Sequence, residues 1–326
     1  MPTILDPLPA NVKTEIDALR AALDLSIPPK KPERNLLIGT WNLRAFGSLT
    51  RKWTAASTDT PKRDLRAAVA IAEILSRFDV VAIQEAVGDL RALRDILKYL
   101  GDKWGFLMTD ENLGDAGNNE RMVFLFDTTR VKPSGLACEL VLPTEWLAEV
   151  SPDAMTSQFA RTPYAASFVA GNNTFILVTL HVLYGSNPAG RIPELKGLAR
   201  WMSAWAKRSS DWEQNLLALG DFNIDRKDDL LWQAFTSTGL SVPADLETVP
   251  RTIFSNPSKP SLDKFYDQIA WFSSTTTGLP RLSLEYIRGG GFDFMPYIYK
   301  DTTLTKSSIS FRMSDHYPLW AEFALA

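Results

Sequence analysis

An apolar run that ends abruptly in polar residues constrains the fold of this chain more than any other stretch. Residues 216–219 are predicted to form a short buried strand, which Gly220 ends. Asp221 and Asn223 follow two positions apart, so in extended backbone their side chains point to the same side. A carboxylate beside a carboxamide is suited to holding a phosphate group or its attacking water. A simple turn at the end of a strand would use the same residue types.

The same arrangement recurs along the chain. Three runs earlier in the chain also end in polar residues: 36–40 before Trp41-Asn42, 80–83 before Gln84-Glu85, and 175–180 before His181. Two late runs have the reverse order: Asp267 precedes 269–272, and Ser314-Asp315-His316 precedes 317–323. These polar groups share one edge only if the last two strands run antiparallel to the first four. The sequence therefore predicts a mixed sheet with one polar edge.

Histidine is rare in this chain, and its placement is informative. The 326 residues include two histidines, His181 and His316, and each lies at the end of a predicted strand. Two histidines placed at random would more often be surface or core residues. Their shared position at the polar edge favours a chemical role.

Composition excludes several classes of protein. Hydrophobic residues make up 45% and charged residues 22%, which is ordinary for a globular chain of this length. A net charge of −3 gives no global signature of nucleic-acid binding, so affinity for a polyanion has to be local or supplied by a metal. A single cysteine, Cys138, excludes an internal disulfide and is expected to act as a small apolar side chain.

The N-terminus carries no recognisable targeting signal. The first ten residues have no basic segment ahead of an apolar core, and no apolar run reaches membrane-spanning length. We therefore expect a cytoplasmic protein without membrane insertion, and the sequence identifies no protein partner.

The remaining patterns indicate layers of helices and strands. Residues 11–26 are predicted to form an amphipathic helix with Asn11 as its N-cap, followed by a proline-rich linker. We expect residues 1–33 to form an arm that packs outside the main domain, residues 34–326. Helices alternate with strands in that domain, which indicates an α/β architecture. The other predicted helices are 64–77, 89–100, 192–208 and 229–239.

Three long segments without periodicity are expected to be loops: 43–61, 114–119 and 143–158. The first contains the cations Arg44, Arg51 and Lys52 and the aromatic Trp53. Cations beside an aromatic could hold a phosphate or stack on a base. An ordinary solvated loop explains the same residues equally well.

Seven short pieces together resemble the endonuclease/exonuclease/phosphatase superfamily, whose fold is that of deoxyribonuclease I. They occur in family order from residue 36 to residue 323: Trp41-Asn42, Gln84-Glu85, Asn119-Glu120-Arg121, Thr179-Leu180-His181, Gly220-Asp221-Phe222-Asn223, Tyr266-Asp267-Gln268-Ile269 and Ser314-Asp315-His316-Tyr317-Pro318. The resemblance implies an α/β fold, a four-layer α-β-β-α sandwich of two packed mixed sheets, with the site on one edge. Residues 34–326 would be the catalytic domain.

The resemblance also implies a role for each matching position. Glu85 would bind a divalent metal, Mg²⁺ with Mn²⁺ as a substitute, and Asn42 and Asp315 would lie close to it; oxygen ligands are what Mg²⁺ prefers. Asp221 and Asn223 would position the attacking water and the phosphate.

His181 and His316 would contact the scissile phosphate or act as acid and base, with Glu120 and Asp267 as their orienting carboxylates. Which histidine is the acid is left open. Three arginines are the candidates for substrate binding: Arg44, Arg121 and Arg161.

The resemblance implies a metal-dependent phosphoesterase that hydrolyses phosphodiester bonds in DNA, RNA or a nucleotide. A phosphomonoesterase acting on a lipid or sugar phosphate is the alternative, and a non-catalytic binding module is a third possibility.

Two departures from the family pattern count against non-specific cleavage of duplex DNA. The arginine that follows Gln84-Glu85 in deoxyribonuclease I is replaced by Ala86, and the tyrosine before the Glu-Arg element is absent.

Overall fold

In the computed structural model of the chain, the described residues are 1–113, 117–146, 159–208, 215–256, 258–260, 263–273 and 282–325. The predicted loops 114–119 and 143–158 therefore fall partly outside the described residues. The helices are α1 (Ala10–Ser26), α2 (Leu65–Leu75), α3 (Arg91–Leu100), α4 (Ile192–Ala206), α5 (Leu230–Thr236) and α6 (Lys306–Ser310). The strands are β1 (Asn35–Phe46), β2 (Val80–Val87), β3 (Trp104–Met108), β4 (Glu120–Asp127), β5 (Lys132–Glu139), β6 (Tyr164–Ala170), β7 (Asn173–His181), β8 (Leu216–Asp221), β9 (Leu240–Ser241), β10 (Asp267–Phe272), β11 (Glu285–Gly291) and β12 (Leu319–Ala324).

The strands form two mixed sheets of six strands each. Sheet 1 has the order β11-β12-β1-β2-β4-β3, and sheet 2 has the order β5-β6-β7-β8-β10-β9. In sheet 1, β1 runs parallel to β2 and antiparallel to β12. In sheet 2, β8 runs parallel to β7 and antiparallel to β10. The predicted reversal of the last two strands is therefore confirmed, but the polar edge belongs to two sheets, as the family resemblance implied, and not to one.

The two sheets pack face to face with helices on both outer sides. Alternate residues of β1 point to opposite faces: Leu36 and Ile38 join the core between the sheets, and Leu37 joins the core beneath α1, α2 and α3. Strands β8 and β10 of sheet 2 are buried along their whole length, because sheet 1 covers one face and α4 and α5 cover the other. The predicted four-layer α-β-β-α sandwich is confirmed.

Helix ends follow local hydrogen bonding, with one correction to the prediction. Asp64 caps α2 by accepting a hydrogen bond from the Ala67 N–H, and Asp229 caps α5 in the same way. Asn11 is not the N-cap of α1, since that helix begins at Ala10 and the Asn11 side chain donates instead to Asp301, at 2.8 Å. The prediction was wrong because the helix begins one residue earlier, with Pro9 at the N-cap position and no side-chain cap.

The N-terminal arm lies on the outside of the α2 layer. Its apolar stripe is buried as predicted, and Glu15 accepts a hydrogen bond of 2.7 Å from the Arg66 Nε of α2. The division of the chain at residue 33 stays a prediction. Within the described part of the chain, no helix combines the length and the apolar character that a bilayer crossing requires.

Candidate active site

Asp221 lies at the centre of a buried polar cluster at one edge of the two sheets. A close approach of β8 to β7 places it there: Gly220 has φ +141°, and a Cβ at this position would lie 2.2 Å from the Leu180 carbonyl oxygen. Asp221 is 1% exposed and is paired in register with His181 on β7. Its Oδ1 accepts a hydrogen bond of 2.9 Å from the Asn223 N–H.

One histidine–carboxylate pair approaches Asp221 from the end of β7. His181 Nδ1 lies 2.7 Å from Oε2 of Glu120, the first residue of β4, and His181 Nε2 lies 3.6 Å from Asp221 Oδ2. Burial disfavours the imidazolium, but the Glu120 and Asp221 carboxylates outweigh it and raise the pKa of His181. Because Glu120 belongs to sheet 1 and His181 to sheet 2, this pair bridges the two sheets.

A second pair approaches Asp221 from the other side. His316 Nδ1 lies 2.7 Å from Oδ2 of Asp267, the first residue of β10, and His316 Nε2 lies 3.8 Å from Asp221 Oδ2. Burial opposes the charged ring, but the Asp267 and Asp221 carboxylates raise the pKa of His316 to about 10. Burial raises the pKa of Asp267 to about 6, against the attraction of His316. Asp267 Oδ1 has no hydrogen-bond partner among the described residues.

Glu85 and Asn42 lie side by side next to Asp221. Asn42 Nδ2 donates to Glu85 Oε1 at 2.9 Å and to Asp221 Oδ2 at 3.0 Å. Glu85 has φ +62°, where the pairing of β2 with β4 is irregular, and its Oε2 accepts from the Ala45 N–H at 2.8 Å. Burial favours the neutral acid, but the charge of His181 and these hydrogen bonds lower the pKa of Glu85. Glu85 therefore stays anionic and is partly exposed.

Two groups in this region could hold a divalent cation. Glu85 presents a carboxylate, the hard oxygen ligand that Mg²⁺ prefers, and Asn42 lies beside it with Nδ2 towards Glu85 and Oδ1 towards the Arg44 N–H. Ligand atoms of Asp221, Asp267 and His316 also lie within 4.8 Å of one another. The second group is the poorer fit, because a protonated His316 repels a cation and its Nδ1 already contacts Asp267.

Asp315 joins the Asn42 group through Arg44. Arg44 Nη1 lies 3.3 Å from Asp315 Oδ2, and the Arg44 N–H donates to Asn42 Oδ1 at 3.0 Å.

Asn223 adopts φ +49°, and its Nδ2 donates to the carbonyl oxygen of Val182 at 2.6 Å. This hydrogen bond fixes the Asn223 side chain to the residue that follows His181. The structure therefore brings these predicted site residues together at the shared edge of the two sheets.

The three predicted substrate-binding arginines have different surroundings. Arg161 is 7% exposed and lies 3.0 Å from Glu120 Oε1, and its Nε and Nη1 have no partner among the described residues. Arg44 is 30% exposed beside Asp315. Arg121 is paired with Glu111 and donates to the Gly88 carbonyl oxygen, so its recorded contacts do not include the Asp221 cluster. Its role in substrate binding stays a prediction.

Arg63 is a residue that sequence reasoning missed. It is 2% exposed and donates hydrogen bonds to five carbonyl oxygens, which belong to two segments of the active site. The acceptors are Leu43, Arg44, Ala45, Arg312 and Met313. Arg63 therefore fixes the segment after Asn42 relative to the segment before Asp315. Its only signal in the sequence is its position next to the Asp64 helix cap.

The family model described as the endonuclease/exonuclease/phosphatase family matches residues 39–316. This chain belongs to the endonuclease/exonuclease/phosphatase family. The matched residues run from β1 to His316 and thus include every member of the cluster around Asp221.

The proteins that are similar to this chain differ in the share of it that they match. A deoxyribonuclease of Thioalkalivibrio sp. (strain K90mix) is 27% identical over 209 residues, which are 63% of this chain and 50% of the relative. The chain thus spans about half the length of this curated relative. This chain is also similar to D. rerio TDP2, in its crystal structure complexed with single strand DNA product. The two sequences are 16% identical, and the structures match with a TM-score of 0.54 over 89% of this chain and 98% of that chain. Bacteroides thetaiotaomicron VPI-5482 mannosyl-6-phosphatase is 15% identical, with a TM-score of 0.54 over 88% of this chain and 99% of that one.

Proposed function

We propose that this chain is a metal-dependent phosphoesterase that hydrolyses phosphodiester bonds in nucleic acid or a nucleotide. The observation that carries the proposal is the convergence of His181 and His316, each with its own carboxylate, on Asp221 beside Glu85. Diester hydrolysis requires an activated water, positive charge near the phosphate and a proton for the leaving oxygen. Family membership supports phosphoester hydrolysis, and the deoxyribonuclease relative favours a nucleic-acid substrate.

We assign metal binding to Glu85 and Asn42, with Asp315 beside them. A Mg²⁺ or Mn²⁺ ion bound there would neutralise phosphate charge and lower the pKa of a bound water. The lowered pKa of Glu85 supports this assignment, because an anionic carboxylate is the required ligand.

We assign the remaining chemistry to groups that contact Asp221. His316, with its pKa raised to about 10, carries a proton at neutral pH and stabilises negative charge on the phosphate. Asp221, held by Asn42 and by the Asn223 backbone, orients the attacking water. Arg161 directs its unpartnered Nε and Nη1 to the phosphate, since charged donors of this kind match phosphate oxygens.

A substrate panel with metal titration tests the proposal. The purified chain is treated with chelator and then assayed with Mg²⁺, Mn²⁺ or Ca²⁺ on duplex DNA, single-stranded DNA, RNA, a dinucleotide and a phosphomonoester. We expect diester hydrolysis that requires Mg²⁺ or Mn²⁺, and a loss of at least about 10²-fold in kcat for Asp221→Asn. Asp24→Asn is the matched control, because Asp24 on α1 is 64% exposed and pairs with Arg77, just after α2.

Three results would contradict the proposal. Turnover that survives the chelator would show that no metal is required. Full activity of Asp221→Asn would show that the central carboxylate is not required. Faster hydrolysis of phosphomonoesters than of any diester would support the phosphatase alternative. We keep cytoplasmic location and the division of the chain into residues 1–33 and 34–326 as predictions.

A further inference from the structure

A cleft of about 320 Å³ opens next to the Asn42 and Asp315 group. This volume is at the lower end of the range for ligand pockets and suits a single ring system. Arg44 and Ala45 line the cleft and also contact the active site, through Asp315, Asn42 and Glu85. An occupant of the cleft is therefore a direct neighbour of the group bound at the active site. The lining residues are Arg44, Ala45, Thr60, Pro61, Lys62, Arg63 and Phe311.

A cation and an aromatic ring form one wall of the cleft. The Arg44 guanidinium carbon lies 4.1 Å from the centroid of the Phe311 ring, and Phe311 is 51% exposed. Arg44 Nη1 is fixed by Ser310 Oγ at 2.8 Å and by Asp315. The guanidinium is therefore held over one face of the ring, and the two groups form a stacked pair whose outward face can receive a further ring. Aromatic faces and arginine planes are the surfaces on which nucleobases stack.

The other cations of the cleft are committed to backbone carbonyls. Lys62 Nζ donates to the carbonyl oxygens of Ser57 and Asp59. Arg63 directs its guanidinium at the five carbonyl oxygens described above. Trp53, the aromatic of the preceding loop, packs against the core beneath the helices. The cleft is therefore better suited to a flat, uncharged ring than to a second phosphate.

We propose that this cleft binds one unpaired nucleobase of a single-stranded nucleic acid, stacked on Arg44 and Phe311. The inference rests on the proposed function, because it places the base next to the metal-binding group of Asn42 and Glu85. A base inside a duplex is covered on both faces by its neighbours, so only an unpaired base can lie on this wall. Stacking on an aromatic face tolerates any base, so the cleft selects single strands and not a sequence.

An abasic scan tests the cleft. A single-stranded oligonucleotide is prepared as a series in which one base at a time is removed and the sugar-phosphate backbone is kept. We expect removal of one particular base to lower kcat/KM of the wild type by about 5- to 100-fold, mainly through KM, the usual range for one stacked base. In Phe311→Ala the same removal has no further effect, and Phe311→Trp restores the dependence. Phe106→Ala, at a 43% exposed phenylalanine on edge strand β3, is the matched control and behaves as the wild type.

The outcomes separate failure of this inference from failure of the proposed function. If the wild type hydrolyses no diester with any metal, the proposed function fails and the cleft has no substrate to bind. If the wild type cleaves single strands but Phe311→Ala keeps the full base dependence, the cleft is not the base site. The same conclusion follows if the wild type cleaves fully paired duplex of the same sequence as well as single strands.

Discussion

The two histidine–carboxylate pairs have the same inner geometry and different surroundings. Each imidazole lies 2.7 Å from its carboxylate and within 4 Å of Asp221. Behind His181, Glu120 also contacts Arg161 and accepts a hydrogen bond from Asn118. Behind His316, one oxygen of Asp267 has no partner among the described residues.

The two imidazoles therefore experience different electrostatic interactions, although the distances within the two pairs are equal. Arg161 opposes a positive charge on His181, and both Asp221 and Asp315 add to the attraction that Asp267 exerts on His316. The pKa of His316 therefore rises to about 10, so its ring stays protonated well above neutral pH. We expect His316 to supply a fixed positive charge and His181 to be the histidine that exchanges protons.

Substitution of the histidines should have the largest effect. We expect His316→Ala and His181→Ala each to lower kcat by about 10²- to 10⁴-fold. The His316 variant loses a fixed positive charge, and the His181 variant loses the group that exchanges protons. Single-turnover rates from pH 5.5 to 9 distinguish the two roles. The His181 variant should lose the pH dependence that comes from the proton-exchanging histidine, and the His316 variant should keep it. If the His316 variant is the one with the flat profile, the roles are reversed.

The centre of this site was predictable from sequence, because each residue type ends or begins an apolar run. Asp221, His181 and His316 were found in this way, and strand direction brought them together. The assignment of strands to two sheets was not predictable from the runs themselves, because a buried run looks the same in either sheet.

Arginine partners were the other feature that the sequence did not determine. Arg121 stands next to Glu120 in a matching motif, yet it pairs with Glu111. Arg63 carries no motif, yet it connects the two segments that hold Asn42 and Asp315. Long side chains choose among acceptors that only the tertiary fold brings within reach, so spacing along the chain does not identify them.

The arginines behind the two pairs should differ in their effect on substrate binding. Among the described residues, Nε and Nη1 of Arg161 and Nη2 of Arg251 have no hydrogen-bond partner. Arg251 is fully buried, and its other donors bond to the carbonyl oxygens of Asp267 and Val249. Its guanidinium also lies 4.3 Å from the Phe265 ring. We expect Arg161→Met to raise KM by about 10- to 100-fold and also to lower Tm, because the buried Glu120 loses the cation that lies 3.0 Å from it. Arg251→Met should lower the free energy of unfolding by about 2–3 kcal/mol, because it leaves buried carbonyls unpaired.

Steady-state kinetics and urea unfolding on both variants measure these two effects. Arg161→Lys is a useful control, since it keeps the charge but loses the planar fork of donors. A large loss of stability in the Arg161 variant, with KM unchanged, would show that its free donors serve the fold and not the substrate.

The smallest expected effect concerns Glu194, an acid in the first turn of α4 that acts on His181. Its Oε2 accepts a hydrogen bond of 3.3 Å from the Leu183 N–H, close to His181 and Arg161. Burial raises the pKa of Glu194 to about 7, above its ordinary value of 4.5. The folded state therefore binds more protons than the unfolded state between these values, so this group's stabilisation is complete below pH 4.5 and is lost as pH rises through 7.

Glu194→Gln should therefore be more stable than the wild type at pH 8, by about 1–3 kcal/mol, and equally stable near pH 4.5. Urea unfolding at pH 5, 6, 7 and 8 measures the difference, with Glu285→Gln on the exposed start of β11 as the control. Parallel curves for wild type and Glu194→Gln would mean that Glu194 is ionised throughout this range. Its charge would then add to that of Glu120 beside His181, and the two histidines would experience more nearly equal negative charge.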